Sequence, residues 1–304
     1  MEKTAAIIVT HNRKDKLRKC IEAVQGQEGT AAPGIIVVDN DSSDGTSGLF
    51  TGAGAEYDAG GFYYYNTGLN TGGAGGFCFG LRKAAELGFE YVWLMDDDTV
   101  PSSTALSELL GFEEKQGSDY GFLSSKAVWR DGSLCLMNVQ RETLTHNVSD
   151  FSRAYVDIKM ASFVSLLIPM RIVREVGLPY REFFIWTDDW EYTRRISRKY
   201  PCYLVTDSVV VHDMKSNIKA DIASDSCERT DRYRYLYRND VVLYRREGIR
   251  GVVYETLRLS AHLARVVLSG NSLHEKKRRA GIIIKGTADG LSFYPMPDRL
   301  NSNK

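Results

Sequence analysis

No stretch of this 304-residue chain approaches the roughly 18 consecutive apolar residues that span a bilayer. The opening run Thr4-Ala5-Ala6-Ile7-Ile8-Val9 is too short, and too close to a polar turn, for a secretion signal. Cysteine is sparse: Cys20, Cys78, Cys135, Cys202 and Cys227 are odd in number, widely spaced and without a CxxC pair. That pattern excludes a disulfide framework and a zinc cage, and reads as reduced, mostly buried thiols in a cytoplasmic protein. There is no internal repeat and no low-complexity linker. With 43% hydrophobic and 26% charged residues, the composition is that of a globular chain rather than a disordered one.

Net charge is also missing, since 39 Lys and Arg balance 39 Asp and Glu. The balance hides an asymmetry. Residues 229–304 carry 16 Lys and Arg against 7 Asp and Glu, so an acidic body precedes a basic tail. The expected organisation is a catalytic domain over 1–228 and a basic, mostly helical subdomain over 229–304.

Apolar runs at Lys3–Val9, Gly34–Val38, Phe62–Tyr65 and Tyr91–Met95 read as strands, with helical spacing between them. Asn12 is placed to cap the first helix, and Ser102 or Ser103 a later one. Asn66–Gly76 reads as a glycine-rich loop before a helix over Phe77–Leu87. Ala161–Ile168 and Tyr203–Val211 are further strands, and Asp188 opens a helix. Beyond residue 228, helices are expected over Arg229–Glu247, Gly251–Leu268 and Ser272–Asp289. This alternation predicts an α/β protein with a mixed, mainly parallel sheet and a C-terminal helical extension. In such sheets ligands bind beyond the carboxyl ends of the strands, where the polar clusters at Thr10, Asp39, Asn70 and Asp96 fall.

Asp96-Asp97-Asp98 is the most specific feature. Alternate side chains of an extended chain share a face, so Asp96 and Asp98 can meet one ligand while Asp97 points away. Oxygen ligands suit Mg²⁺ or Mn²⁺, which in turn bind phosphates; His212, at the end of a strand, could complete a mixed site and favour Mn²⁺. In Thr187-Asp188-Asp189-Trp190-Glu191, Asp188 and Glu191 have capping-box spacing, while Asp189 is spare and can serve as a general base. Trp186 and Trp190 suit a sugar ring or a core. Asn70–Phe77 is not a dinucleotide fingerprint, because its glycine spacing is wrong; glycines such as Gly73 allow close backbone approach to a ligand. Arg13 could meet a phosphate or a base, and Asp39 a ribose hydroxyl.

As a set, Ile7–Arg13, Val37–Thr46, Asn70–Phe77, Trp93–Asp98, Phe183–Tyr192 and His212 resemble family 2 inverting glycosyltransferases with the GT-A fold. The resemblance covers residues 4–240. Within the family, the glycine-rich segment, the Asp triplet and Asp-Asp-Trp-Glu look most like bacterial galactofuranosyltransferases, with O-antigen and cell-wall rhamnosyltransferases next. It implies a UDP-sugar donor, a saccharide or lipid-linked acceptor, and Mn²⁺ or Mg²⁺ on Asp96, Asp98 and His212. It implies Asp189 as base, and Thr10, Asn12, Arg13, Asp39, Asn70, Gly73, Asp97, Trp186 and Asp188 around nucleotide and substrate. Tyr237-Arg238-Asn239 resembles a family segment after the metal His, which makes Arg238 a phosphate candidate. The larger polymerases carry an N-terminal β domain; this chain opens at the first GT-A strand, which implies addition of one or a few sugars. The rival readings are rhamnosyl transfer from dTDP-rhamnose and a non-catalytic sugar-nucleotide-binding subunit.

In the tail, Val253, Leu257, Ala261, Ala264 and Leu268 form an apolar stripe, followed by His274–Arg279, rich in base. The stripe and charge fit docking on an anionic cytoplasmic leaflet, packing on the catalytic body, or a second subunit. Nucleic acid is not an expected partner, because the tail lacks a recognisable module and the acidic body would oppose it.

Overall fold

The structure, a computed structural model, describes residues 4–50 and 56–300. Lys3 and the Cys227 side chain lie outside the described residues. Two compact units are present: Met1–Arg181, Asp189–Asn217 and Pro297–Lys304 form the first, and Glu182–Asp188 with Ile218–Met296 the second. The second unit therefore starts before the expected boundary at 228 and takes in a short segment from the middle of the chain.

The first unit is built on β1 (Thr4–Thr10), β2 (Gly34–Asp39), β3 (Glu56–Ala59), β4 (Phe62–Asn66), β5 (Tyr91–Asp96), β6 (Thr99–Pro101), β7 (Leu123–Val128), β8 (Tyr155–Asp157), β9 (Leu166–Pro169) and β10 (Tyr203–His212). They form one sheet in the order β3-β4-β2-β1-β5-β9-β7-β10-β6, with β8 also on β10. The β4-β2-β1-β5 portion is parallel, and β9 and β6 run against their neighbours. The helices are α1 (Lys14–Gln25), α2 (Gly72–Glu86), α3 (Ala105–Gln116), α4 (Met170–Val176) and α5 (Asp188–Ser197), whose first residue belongs to the second unit.

Both sheet faces are covered, as the near-continuous apolar runs require. Ile7, Val9, Ile36 and Val38 join Phe77 and Leu81 of α2 in one core, while Ala6, Ile8, Val37 and Trp93 join Leu17, Cys20 and Val24 of α1 in the other. Cys20, Cys78, Cys135 and Cys202 are free and buried.

Several local expectations are corrected. The glycines of Gly72–Gly76 lie inside α2 rather than in a loop. A Cβ on Gly76 would stand 2.5 Å from Val9 Cγ1, and one on Gly80 would stand 2.4 Å from Ile7 Cγ2. These two glycines are needed because the helix lies hard against β1, not because the chain must bend. Asn12 does not cap α1; it sits at φ 54° and its Oδ1 accepts from the Ser43 amide. The first turn of α1 is satisfied from across the sheet edge instead, by Asp44 Oδ2 on the Lys14 amide at 2.9 Å. Thr104, not Ser102 or Ser103, stands at the N-cap of α3, without a side-chain cap. The expected strand over 161–168 forms only as the short β9.

The second unit contains α6 (Cys227–Thr230), α7 (Tyr233–Arg245), α8 (Gly248–Leu268) and α9 (Leu273–Ser292). Its core gathers Ile222, Tyr233, Tyr237, Val266 and Ile283. Ser272 caps α9 by accepting from the Glu275 amide. The α8 stripe is exposed among the described residues: Val253 is 53% exposed, Leu257 66% and Leu268 84%. The opposite side of α8 holds the polar groups, with Glu255 buried and paired with Arg258, and His262 accepting from or donating to Tyr237 Oη at 2.8 Å. The same inward side carries Val266, with Leu259 and Leu263 against the core, so α8 is apolar on both its inner and its outer side.

Candidate active site

Parallel pairing brings the polar strand ends level. Thr10 registers with Asp39, Asp39 with Asn66, and Val9 with Asp96. The chain leaves β5 at Asp96, turns through Asp97 and Asp98, and enters β6, whose Thr99 pairs with His212 of β10. The Asp213 amide donates to the Asp98 carbonyl at 2.8 Å, closing the corner. This three-residue strand is why two groups far apart in sequence become neighbours.

The result is a compact donor set: one ligand atom each from Asp96, Asp98 and His212, all within 4.8 Å of one another. His212 Nε2 lies 3.0 Å from Asp98 Oδ1. On its other side, Nδ1 lies 2.8 Å from Asn138 Oδ1, and Asn138 Nδ2 donates to Ser162 Oγ at 2.9 Å. With Oδ1 facing the ring, Asn138 accepts from His212 Nδ1 in the tautomer that carries its proton there. In the neutral ring Nε2 is then the ligating atom, which is the usual arrangement of a metal-binding imidazole and its supporting acceptor. Two carboxylates and one imidazole suit a divalent cation, so the residues fit the metal that the fold implies.

Burial opposes charge on every member. It pushes Asp96 up, and the facing Asp98 carboxylate adds to this. It would do the same to Asp98, but the hydrogen bond and charge of His212, with Arg13 and Lys16, outweigh it and hold Asp98 well below the usual carboxylate range. For His212, burial disfavours the cation, yet the bond to Asp98 prevails and the ring is pushed up to about 10.

Asp97 is not one of the three donors, as expected of the middle residue. It is buried, accepts from Thr10 Oγ1 at 2.8 Å and from Arg13 Nη1 at 3.1 Å, and is pushed up to about 7 mainly by burial. Thr10 is buried with it. Arg13 is half-exposed and bridges Asp97 and Asp98, the latter at 2.8 Å. Lys16, one turn further along α1, also reaches Asp98 Oδ2 at 3.2 Å. Sequence reasoning missed Lys16 and Asn138. Lys16 could have been found as the residue three after Arg13 on the same helix face; Asn138 lies in an irregular segment that gives no such signal.

Asp39 is fully buried, with Oδ1 accepting from the Ser42 amide and Oδ2 from Tyr64 Oη. Its carboxylate shapes the turn after β2 rather than facing solvent. Asn12 and Asn70 are exposed at the same edge, and Asn70 Oδ1 accepts from the Gly72 amide. A Cβ on Gly73 would meet nothing within 4 Å, so that position is open.

Asp189 is half-buried in the first turn of α5, and its Oδ1 accepts from the Trp190 amide at 2.7 Å. Trp190 carries the Arg141 guanidinium 4.6 Å from its ring centroid. Glu191 pairs with Arg195 at 2.6 Å. Asp188 is buried. In the second unit, Trp186 is partly buried and packs edge-on against Tyr233 at 4.6 Å. Arg238, expected on phosphates, instead donates to the Glu182 carbonyl at 2.6 Å and covers Phe293.

Residues 5–129 match the family model described as glycosyl transferase family 2. The galactofuranosyltransferase GlfT1 of Mycolicibacterium smegmatis is 38% identical over 110 residues, which is 36% of this chain and 34% of that protein. GlfT1 of Mycobacterium tuberculosis is 36% identical over 116 residues, 38% of this chain and 36% of that protein. The matched segment thus spans about a third of those relatives. Among solved structures, residues 1–349 of S. aureus TarS superimpose with a TM-score of 0.55 at 13% identity, covering 94% of this chain and 71% of that one. TarS has also been solved with UDP-GlcNAc, and superimposes in that form at a TM-score of 0.53, 11% identity, 94% of this chain and 72% of that one. GalNAc-T7 with UDP, GalNAc and Mn²⁺ gives a TM-score of 0.55 at 12% identity, over 78% of this chain and 48% of that one. These likenesses establish the fold as GT-A. The sequence match to glycosyl transferase family 2 lies within residues 5–129.

Proposed function

We propose that the chain is an inverting glycosyltransferase that moves galactofuranose from UDP-galactofuranose to a saccharide acceptor, lipid-linked in a bacterial envelope pathway. The observation that carries the reading is the gathering of Asp96, Asp98 and His212 at the carboxyl edge of a GT-A sheet. The likeness of the segment to galactofuranosyltransferases supports the donor.

Asp96, Asp98 and His212 would hold Mn²⁺ or Mg²⁺, which when bound supplies positive charge opposite a departing diphosphate. Arg13 and Lys16 add fixed positive charge beside it. Asn12, Asn70 and the open Gly73 offer polar groups and backbone approach for the nucleotide. Asp189 takes the proton from an acceptor hydroxyl. That oxygen forms a bond to the anomeric carbon as the bond to the diphosphate oxygen breaks, UDP leaves with the electron pair, and configuration inverts.

The out-turned face of α8 supports peripheral contact with an anionic bilayer. Its exposed positions include Ile249, Val252, Val253, Leu257, Val267 and Leu268, with Arg250, and with Arg265 paired to Asp221. No helix among the described residues is long and apolar enough to cross a membrane.

The test is donor turnover with Mn²⁺. UDP-galactofuranose, UDP-galactopyranose and dTDP-rhamnose are supplied separately, with and without galactosyl acceptors. Acceptor-stimulated UDP release from the furanose donor alone is expected. Release of dTDP would move the chain to the rhamnosyl branch, and binding without turnover of any donor would favour a non-catalytic subunit.

A further inference from the structure

Three of the four residues just before α5 hold a backbone that their side chains disfavour. Phe184, Trp186 and Thr187 sit at φ 65°, 67° and 66°. Bulky and β-branched residues rarely adopt this left-handed region, and such conformations persist only where the surroundings over-determine them. Here the surroundings come from α7. Asn239, fully buried, directs Nδ2 at the carbonyls of Phe183 (3.0 Å), Ile185 (3.2 Å) and Trp186 (2.8 Å). Its Oδ1 accepts from Arg238 Nε, and Arg238 Nη2 holds the Glu182 carbonyl. One residue on, Asp240 Oδ1 accepts from Thr187 Oγ1 at 2.6 Å. Arg258 of α8 braces the other oxygen of Asp240 and forms a two-pronged pair with Glu255. Phe184 stacks on Tyr235, 5.0 Å between centroids.

We propose that Asn239 and Asp240 are positioning residues: they clamp the 183–187 segment in its left-handed form and so set the backbone from which Asp189 projects in the first turn of α5. This rests on the reading of Asp189 as the base. Neither α7 residue touches a reacting atom. Each supplies what the bent segment needs: Asn239 Nδ2 has two N–H donors shared among three converging carbonyls, and Asp240 an acceptor for the Thr187 hydroxyl. An ordinary packing role for α7 would not require a fully buried amide aimed at the backbone of one short segment.

The test uses the full chain with Asn239→Asp, which turns donors into acceptors, and Thr187→Val, which keeps the shape and removes the hydroxyl. Hydrogen exchange of the amides of residues 184–189 should accelerate by about 10-fold or more in both variants. Mn²⁺-dependent UDP affinity should stay within about twofold, while kcat for acceptor-dependent transfer falls about 10-fold or more and the acid limb of its pH profile moves. Should Asn239→Asp lose cooperative unfolding, Thr187→Val carries the same comparison. Unchanged exchange in the folded variants overturns the clamp. Faster exchange with unchanged kcat and pH profile overturns its role toward Asp189, as does a parallel fall of kcat, UDP affinity and Tm. If the parent protein transfers no sugar, the glycosyltransferase reading fails instead, and the exchange comparison alone decides the clamp.

Discussion

His212 Nε2 and Asp98 Oδ1 lie 3.0 Å apart although 114 residues separate them in the chain. The join is made by β6, which turns the chain back immediately after the Asp triplet and pairs with the last residue of β10.

Asn138 orients His212, so its amide should matter to metal binding without contributing a ligand atom. Asn138→Leu should weaken Mn²⁺ binding, measured by titration in the presence of UDP, by about 10- to 100-fold. His212→Ala should weaken it at least as much. Unchanged affinity in both would break the assignment of His212 to the metal.

The α2 glycines separate into two kinds. Gly76→Ala drives a Cβ to 2.5 Å from Val9 Cγ1 and 3.0 Å from Asn40 Nδ2. It should destabilise the fold by about 1–3 kcal/mol in urea unfolding. Gly73→Ala meets no neighbour within 4 Å and lies in a helix, so stability should hold or rise slightly while UDP affinity falls. Equal destabilisation by both would show that Gly73 serves packing rather than ligand approach.

How much of this was legible beforehand differs between places. The strands of the parallel portion were plain, because buried strands are short, continuously apolar and end at polar clusters. Asp96, Asp98 and His212 were identifiable as chemistry, but their proximity was not, since it depends on a three-residue strand too short to show periodicity. The glycines before Phe77 read as a loop because composition cannot distinguish a glycine that bends the chain from one that admits a neighbouring side chain. Gly76 and Gly80 are the latter. Asn12 read as a cap because its residue type fits one. The actual acceptor, Asp44, comes from a separate turn. The clamp on 183–187 left no trace, because a left-handed Trp or Thr looks like any other.

His262 should impose a pH window on stability. Burial, with Arg258 and Arg265 nearby and only Asp221 opposing, pushes its ring down to about 4, against 6.5 in the unfolded chain. Between those values the unfolded state binds more protons, so the contribution is complete above pH 6.5 and is lost as pH falls toward 4. Glu255, pushed up to about 7 chiefly by burial, titrates with the opposite sign, so the effect is read as a difference between two proteins. His262→Asn should remove on the order of 2 kcal/mol of the pH dependence between pH 7 and pH 4.5 in denaturant unfolding. An identical pH slope in parent and variant would show that His262 is not held neutral.

The α8 face should bind anionic bilayers. Leu257→Glu combined with Val253→Glu should abolish co-sedimentation with phosphatidylglycerol vesicles and leave Tm close to the parent value, because both side chains are at least half exposed. Retained vesicle binding would place the contact elsewhere, and a concentration-dependent dimer lost on mutation would assign the face to a second copy.

In the proposed reaction a single displacement proceeds as Asp189 removes the acceptor proton. The most direct measurement is acceptor-stimulated UDP release from UDP-galactofuranose with Mn²⁺, made on the parent and on Asp189→Asn beside a UDP-binding titration. The parent should release UDP, and the variant should lose about 10²-fold or more of that release with UDP affinity unchanged. Retained transfer by Asp189→Asn would contradict that role of Asp189.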